Sequence, residues 1–304
     1  MATSIPASNS KKPDSRAAVG RPAAAVLRRL MRERKGAVGT VCMLLFILVA
    51  IVGPRVAPYN PIELHLDAQL APPSTRFWWG TDELGRDILS RVIHGARVSL
   101  AAGVLAVGLA GIVGVAGGLV SGYLGGWIDA IISRVWDTLL AFPAIFLAIG
   151  IVTIIGPGYL NAVLAVAIIN LPTFARLVRA STIALRGKDF VEAARAIGAP
   201  NARIMFRTIL PNCLSLVVVQ MAIAAPAAIL VEASLSYLGL GSQPPTASWG
   251  NMLTAAQSYL YRSPTYGIFP GAALTLVVIA LNYFADGLQD AIDPRRTRAG
   301  AQMT

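Results

Sequence analysis

Two histidines and two cysteines are the residues of this chain best suited to metal or nucleophilic chemistry, and their placement suits neither. His65 and His94 stand alone, with no second ligand at metal spacing and no nucleophile beside them. Cys42 and Cys213 each adjoin an apolar run and read as small apolar residues, not as a disulfide or a metal pair. The Gly-x-x-x-x-Gly-Lys-Ser/Thr loop that cradles nucleotide phosphates is absent from the sequence, so any use of ATP falls to other chains. An enzyme is therefore not expected, and neither a metal nor a bound cofactor. The acids that remain of interest are Asp137, three residues after Arg134, and Glu232, each near the end of an apolar run.

Those runs dominate the chain. Of its 304 residues, 55% are hydrophobic and only 13% charged, and the mean hydropathy is +0.63. Soluble domains carry about 25% charged residues, so a water-soluble globule is excluded. A hydrocarbon core of about 30 Å needs roughly 20 apolar residues in a helix. Segments 37–57, 99–121, 136–156, 161–180, 213–235 and 269–288 meet that test. The runs are continuous rather than alternating, which predicts an all-α membrane protein of six transmembrane helices and not a barrel. The first run reads as a retained span, because the leader before it is long and no small-x-small cleavage site follows.

The net charge of +11 would by itself suggest nucleic acid as a partner. Its distribution gives another reason for it. Basic residues crowd the tail from Lys11 to Lys35, the loop from Arg186 to Arg207, and Arg295, Arg296 and Arg298. With six spans all three regions fall on one side, and the positive-inside rule makes that side, with both termini, cytoplasmic. No nucleic-acid partner is expected. Residues 1–25 read as disordered, and residues 26–36 as a positive-inside anchor first and a short basic helix on the membrane surface second.

Inside the spans, Ala106, Ala110, Gly114, Gly118 and Gly122 recur every four residues. Such a stripe lets a second helix approach closely, within the bundle or at a subunit interface. Pro143, Pro172, Pro226 and Pro270 lie in or at the start of spans, either as kinks that permit gating or as tolerated bends. Asp137 and Glu232 are candidates for a polar path or gate, together with Pro143, although an ion pair or water at the interface would equally satisfy the two acids.

The loop Arg186–Pro211 is expected to form two short helices. Lys188 and Glu192 are spaced for an i,i+4 pair, Gly198 for a positive-φ break, and Pro200 for a helix start. Pro211 either ends the second helix or starts the next span. Ile204, Met205 and Phe206 between Arg203 and Arg207 then form apolar knobs with basic flanks, suited to a groove on a soluble partner.

Glu192-Ala193-Ala194, three residues, Gly198 and, after twelve more, Pro211 resemble the EAA loop of bacterial binding-protein-dependent ABC importers. Thr208 stands where that pattern has Ile. Further segments are similar to the second, C-type permease subunit of the dipeptide, oligopeptide and nickel importers: Trp79–Arg91, Gly95–Leu100, Gly122–Asp129, Ser236–Gly241, Gln243–Gly250, Phe269–Gly271 and Asp286–Pro294. Phe77-Trp78-Trp79 replaces a His that relatives often carry there, so no role of that His transfers. The resemblance spans about residues 30–296.

It implies a type I ABC importer permease fold in a bacterial inner membrane. The expected organisation is a basic tail (1–36), a first span (37–57), an external loop with an interfacial helix (58–96), a five-helix transport domain (97–288) with its coupling loop at 186–211, and a C-terminal tail (289–304). The helix outside the membrane is read from Ile88, Leu89, Val92 and Ile93, with Thr81 or Asp82 as its cap. The resemblance also implies a B-type permease partner, an external binding protein and two cytoplasmic ATPases that hold ATP and Mg. Glu192, Ala193, Ala194, Gly198, Ala199, Arg203, Phe206 and Pro211 would meet the ATPases. The cargo would be a dipeptide or oligopeptide, or else glutathione or nickel.

Overall fold

A computed structural model describes residues 23–292. The tail residues before Ala23 and the arginines after Ile292, with Asp293 and Pro294, lie outside the described residues. Within them the chain is helical: α1 (Ala23–Arg32), α2 (Arg34–Val56), α3 (Ile88–Leu124), α4 (Gly126–Leu140), α5 (Ala144–Ile155), α6 (Tyr159–Arg186), α7 (Asp189–Ala196), α8 (Asn201–Arg203), α9 (Leu210–Tyr237), α10 (Trp249–Gln257) and α11 (Pro264–Ile292). Among the described residues five helices are long and apolar enough to cross a membrane, and the pair α4–α5 makes a sixth if it counts as one span.

The third span, expected over 136–156 with a kink or bend at Pro143, is more than bent. It is broken at Ala141–Pro143 and bent by 96°. Pro143 explains the break: it has no N–H to donate, and its ring disfavours helical geometry at Phe142. With 15 and 12 residues, α4 and α5 are about 22 and 18 Å long, each too short to cross alone.

The directions of the other helices show what the bent pair does. A Cβ on Gly114 would lie 2.7 Å from the Leu171 carbonyl oxygen, and one on Gly122 2.8 Å from that of Arg179. Gly118 abuts the Ala175 carbonyl between them. Successive turns of α3 therefore sit on successive turns of α6, and the two helices run parallel. The chain leaves α3 at one end of the bundle and enters α6 at the other, so α4–α5 together carry it back. By the same reasoning α2 runs antiparallel to α11, with Gly36 on Gly287 and Gly39 on Phe284. Gly53 meets Ile93, which sets α2 antiparallel to α3. The start of α6 meets the end of α9 through Gly158 N–H donating to the Leu240 carbonyl at 3.0 Å. The result is six crossings. One end of the bundle gathers α1, α7 and α8; the far end gathers the 57–87 segment and α10.

A short basic helix does form over Ala23–Arg32, and its Leu30 is buried against Leu288 and Ala291 of α11. One expectation is revised here. The helix expected to lie on the interface at Ile88–Ile93 is the opening of α3. At 37 residues α3 is about 55 Å long and overshoots any hydrocarbon core. Its cap is neither Thr81 nor Asp82 but Asp87, whose carboxylate accepts from Ser90 N–H at 2.8 Å. Exposed Val41, Leu44, Leu45, Leu48 and Ile51 on α2 present the face expected toward lipid.

Because the α3–α6 contact has no room for side chains, Gly118→Leu is expected to lower stability by about 3 kcal/mol or more. A drop in the thermal midpoint of the detergent-purified subunit checks this. Gly108, with open space at its Cβ, is the control and should tolerate Ala.

Candidate functional site

At the α1 end, the segment after α6 is organised by a few inward residues. α7 begins after Lys188 and carries Asp189 and Glu192 in its first turn, where the helix dipole favours acids. Val191 alone in α7 is fully buried, and it packs into the main core with Ile204, Ile209 and Cys213. Gly198 has φ +75°, a left-handed value that ends α7 and would strain any other residue. No ion pair joins Lys188 and Glu192; the Lys188 backbone carbonyl accepts from Glu192 N–H at 3.1 Å instead.

The second half of this segment departs from the sequence reading. Ile204 and Met205 are buried, so they are not knobs for a partner. The outward apolar residues are Phe190, Phe206 and above all Ile197, 84% exposed. Glu192, Ala193, Gly198 and Arg203 share this exposed surface, with Ala194 and Ala199 half-buried. Pro200 precedes α8 as its cap rather than entering its first turn. Of the two readings for Pro211 the second holds: it stands in the first turn of α9, although Asn201 to Tyr237 is continuous through a π-helical stretch at Ile204–Ile209. Leu210 N–H there donates to the Met205 carbonyl, five residues back. Pro211 has no N–H to donate and its ring crowds the carbonyl one turn back, and the wider turn makes room for it.

Side chains tie this surface to the spans. The Tyr123 hydroxyl donates to Asn201 Oδ1 at 3.0 Å, and Arg186 donates to the Tyr123 carbonyl at 3.1 Å. Arg179 of α6 holds Asp129 of α4 through two bonds of 2.6 Å. Asp137 pairs with Arg176 at 2.6 Å, not with its sequence neighbour Arg134. That pair is exposed and is worth little in water. Pro143 caps α5 at the bend, outside the helices that carry Asp137 and Glu232. Asp129 and Arg179 stand 50 positions apart, and nothing in that spacing signals that they meet.

At the far end, the 57–87 segment folds into a cap closed by a buried ion cluster. The Asp82 carboxylate accepts from Leu84 N–H, Arg86 N–H and Arg86 Nε at 2.9, 2.9 and 2.6 Å, and lies 3.3 Å from Arg91 Nε. Glu83 adds a 3.0 Å contact to Arg86. Burial pushes the Asp82 carboxyl above its ordinary value against the pull of Arg91 and Arg86. Thr81 bonds the Ala68 carbonyl, and Arg91 reaches the Pro61 carbonyl at 3.0 Å. Asp67 is held below the ordinary carboxylate range by its bond to Arg76. His65 packs with Tyr59 and Phe77, while His94 Nδ1 lies 2.8 Å from the Ser90 carbonyl.

α10 closes the cap from the other half of the chain. Trp249 donates from Nε1 to the Val92 carbonyl at 3.0 Å and from its backbone to Ser99 Oγ at 3.3 Å. Its ring lies over Gly95. Trp79 stacks on Phe269 with centroids 4.1 Å apart. Glu232 is 1% exposed; one oxygen accepts from Ser236 Oγ at 2.7 Å, and that hydroxyl in turn accepts from Ser242 N–H at 3.0 Å. In this arrangement Glu232 braces the turn after α9. Among the described residues no group of three or more His, Cys, Asp or Glu is placed to hold a metal ion.

A bundle of long apolar helices with an exposed patch at one end and a braced cap at the other is the build of a membrane-embedded protein. Residues 114–298 match the family described as binding-protein-dependent transport system inner membrane component, and residues 22–73 match the N-terminal TM domain of oligopeptide transport permease C. The chain belongs to this family of bacterial inner-membrane permeases and is a non-catalytic transport subunit. It is 43% identical to the dipeptide transport system permease protein DppC of Alkalihalophilus pseudofirmus, over 95% of both chains. It is 44% identical to the di/tripeptide transport system permease protein DppC of Pseudomonas aeruginosa, over 88% of this chain and 90% of that one. It is also 44% identical to the glutathione transport system permease protein GsiD of Escherichia coli O157:H7, over 88% and 89%. The family implies ATP-driven partners, another permease and a binding protein in general terms.

Asp82→Ala would leave Arg86 and Arg91 buried without their shared counter-charge, at a cost of about 3–5 kcal/mol. The expected result is faster protease cleavage within residues 57–87, with Asp82→Asn intermediate; equal cleavage of wild type and both variants would contradict the bracing role.

Proposed function

We propose that this chain is the C-type permease subunit of an importer for dipeptides or oligopeptides, forming half of the translocation pathway beside a B-type permease. The α1 end faces the cytoplasm. The reading rests on charge: that end carries the basic residues of α1 and of the 186–207 loop, whereas the far end mixes Arg76, Arg86 and Arg91 with Asp67, Asp82 and Glu83. The far-end cap receives a binding protein loaded with solute. Two cytoplasmic ATPases, which hold ATP and Mg, dock on the exposed surface around α7; this chain binds neither.

The observation that carries the coupling role is the build of α7. Its outer face offers Glu192 and Ala193, with Ile197 and Gly198 just past its end and Phe206 also exposed, while Val191 on its inner face is packed into the main core. A push on the outer face therefore moves packed spans rather than a loose loop. Ala194, Ala199, Arg203 and Pro211 shape the same surface. The domain limits expected from sequence carry over, except that the helix assigned to the external loop belongs to α3. Peptide cargo is supported by the three relatives, whose names specify dipeptide, di/tripeptide and glutathione transport. None of these three names mentions nickel; glutathione, itself a small peptide, is the second reading.

In membranes expressing the whole importer, Glu192→Lys and Gly198→Leu are each expected to reduce ATPase co-purification at least tenfold, or about 1.4 kcal/mol. Gly198→Leu acts through its left-handed backbone, which costs other residues roughly 1–2 kcal/mol. An intact complex that still couples ATP hydrolysis to uptake would reject the docking assignment. Competition of labelled dipeptide uptake by unlabelled dipeptide, glutathione and nickel ion separates the cargo readings.

A further inference from the structure

The outer halves of α2 and α3 enclose a groove that neither coupling nor the cap accounts for. Ile47, Ala50 and Ile51 of α2 line one wall and Leu100, Ala101 and Val104 of α3 the other, around a volume of ≈ 390 Å³. At its far-end mouth stand Arg55 and Arg97. On α2, Ile47, Ile51 and Arg55 are spaced by four residues; on α3, Arg97, Leu100, Ala101 and Val104 follow the same helical face. The groove is thus apolar along its length and cationic at one end.

Both arginines are exposed, and neither belongs to any ion pair found among the described residues. This sets them apart from Arg76, Arg86, Arg91, Arg176 and Arg179, each of which holds an acid. The groove opens on the flank where Ile51 and Val104 are exposed, on two helices that cross the bilayer. From Arg97 to Val104 the helix rises about 10 Å, which matches part of an acyl chain below a headgroup. Two unpaired guanidinium groups at the headgroup level suit a phosphodiester, which a planar donor fork recognises well.

We propose that this groove binds one anionic phospholipid, its phosphate between Arg55 and Arg97 and an acyl chain against Ile47, Ile51, Ala101 and Val104. The lipid fills a seam between the first span and the transport helices, so α2 and α3 meet through it as well as directly at Gly53 and Ile93.

The test uses the assembled importer in nanodiscs of phosphatidylglycerol and phosphatidylcholine, with retained lipid read by native mass spectrometry after mild delipidation. Wild type should retain phosphatidylglycerol over phosphatidylcholine, and Arg55→Gln with Arg97→Gln should cut that retention by on the order of tenfold. Val104→Trp, which fills the groove and leaves both arginines in place, should do the same; it serves as the deciding variant if the double arginine change fails to assemble. Inorganic phosphate added at millimolar level should not displace the lipid, since the acyl contact is part of the site. Equal retention of the two lipids, retention unchanged in the variants, displacement by free phosphate, or a cross-link from Ala101→Cys to another subunit would each overturn the proposal.

Discussion

The close approach of α3 to α6 is the contact on which the rest of the bundle depends. Three glycines at four-residue intervals place the backbone of one helix on three carbonyls of the other, likewise four residues apart. Lipid tails offer no hydrophobic gain for bringing helices together, so contact of this kind supplies the cohesion through close packing. It also fixes direction. Two parallel helices linked by a short stretch of chain demand a return crossing, and the bent α4–α5 pair meets that demand in two pieces. The Arg179–Asp129 bridge then pins the first piece to the helix that anchors the arrangement.

The ends of the bundle are built by opposite means. Around α7 the exposed surface mixes apolar residues with charged ones, and a single buried valine and a tyrosine–asparagine bond moor it. The far end relies on charge, with Asp82, Arg86 and Arg91 nearly dry and paired with one another. A buried ion cluster is a weak source of net stability but strongly disfavours alternatives that leave one member unpaired. The cap therefore has a defined shape, while the opposite surface is left open.

Much of this was legible in the sequence for physical reasons. Hydropathy and length located six crossings because lipid imposes one element type and a minimum length. Gly198 announced its own backbone conformation, and the small-residue stripe announced close packing, though not its partner. What was hidden depended on side chains from distant segments. Arg176 rather than Arg134 answers Asp137, because α6 passes α4 and sequence distance says nothing of that. Ile204 and Met205 read as knobs because they lie between two arginines, yet the π-helical turns rotate them inward. The break at Pro143 was visible as a residue but not as a 96° bend.

Trp249 carries a consequence for how the protein is made. Its indole donates to a carbonyl 157 residues earlier in the chain, and its ring rests on Gly95. Synthesis proceeds from the N-terminus, so the outer turns of α3 emerge long before the ring that covers them. Until α10 has followed α9 to the far end, that stretch of α3 has an uncovered glycine and lacks the second donor to the Val92 carbonyl. Assembly of the outer face is thus a late event in biogenesis, and a chain that stalls after α9 presents an unfinished surface to the cell's quality control.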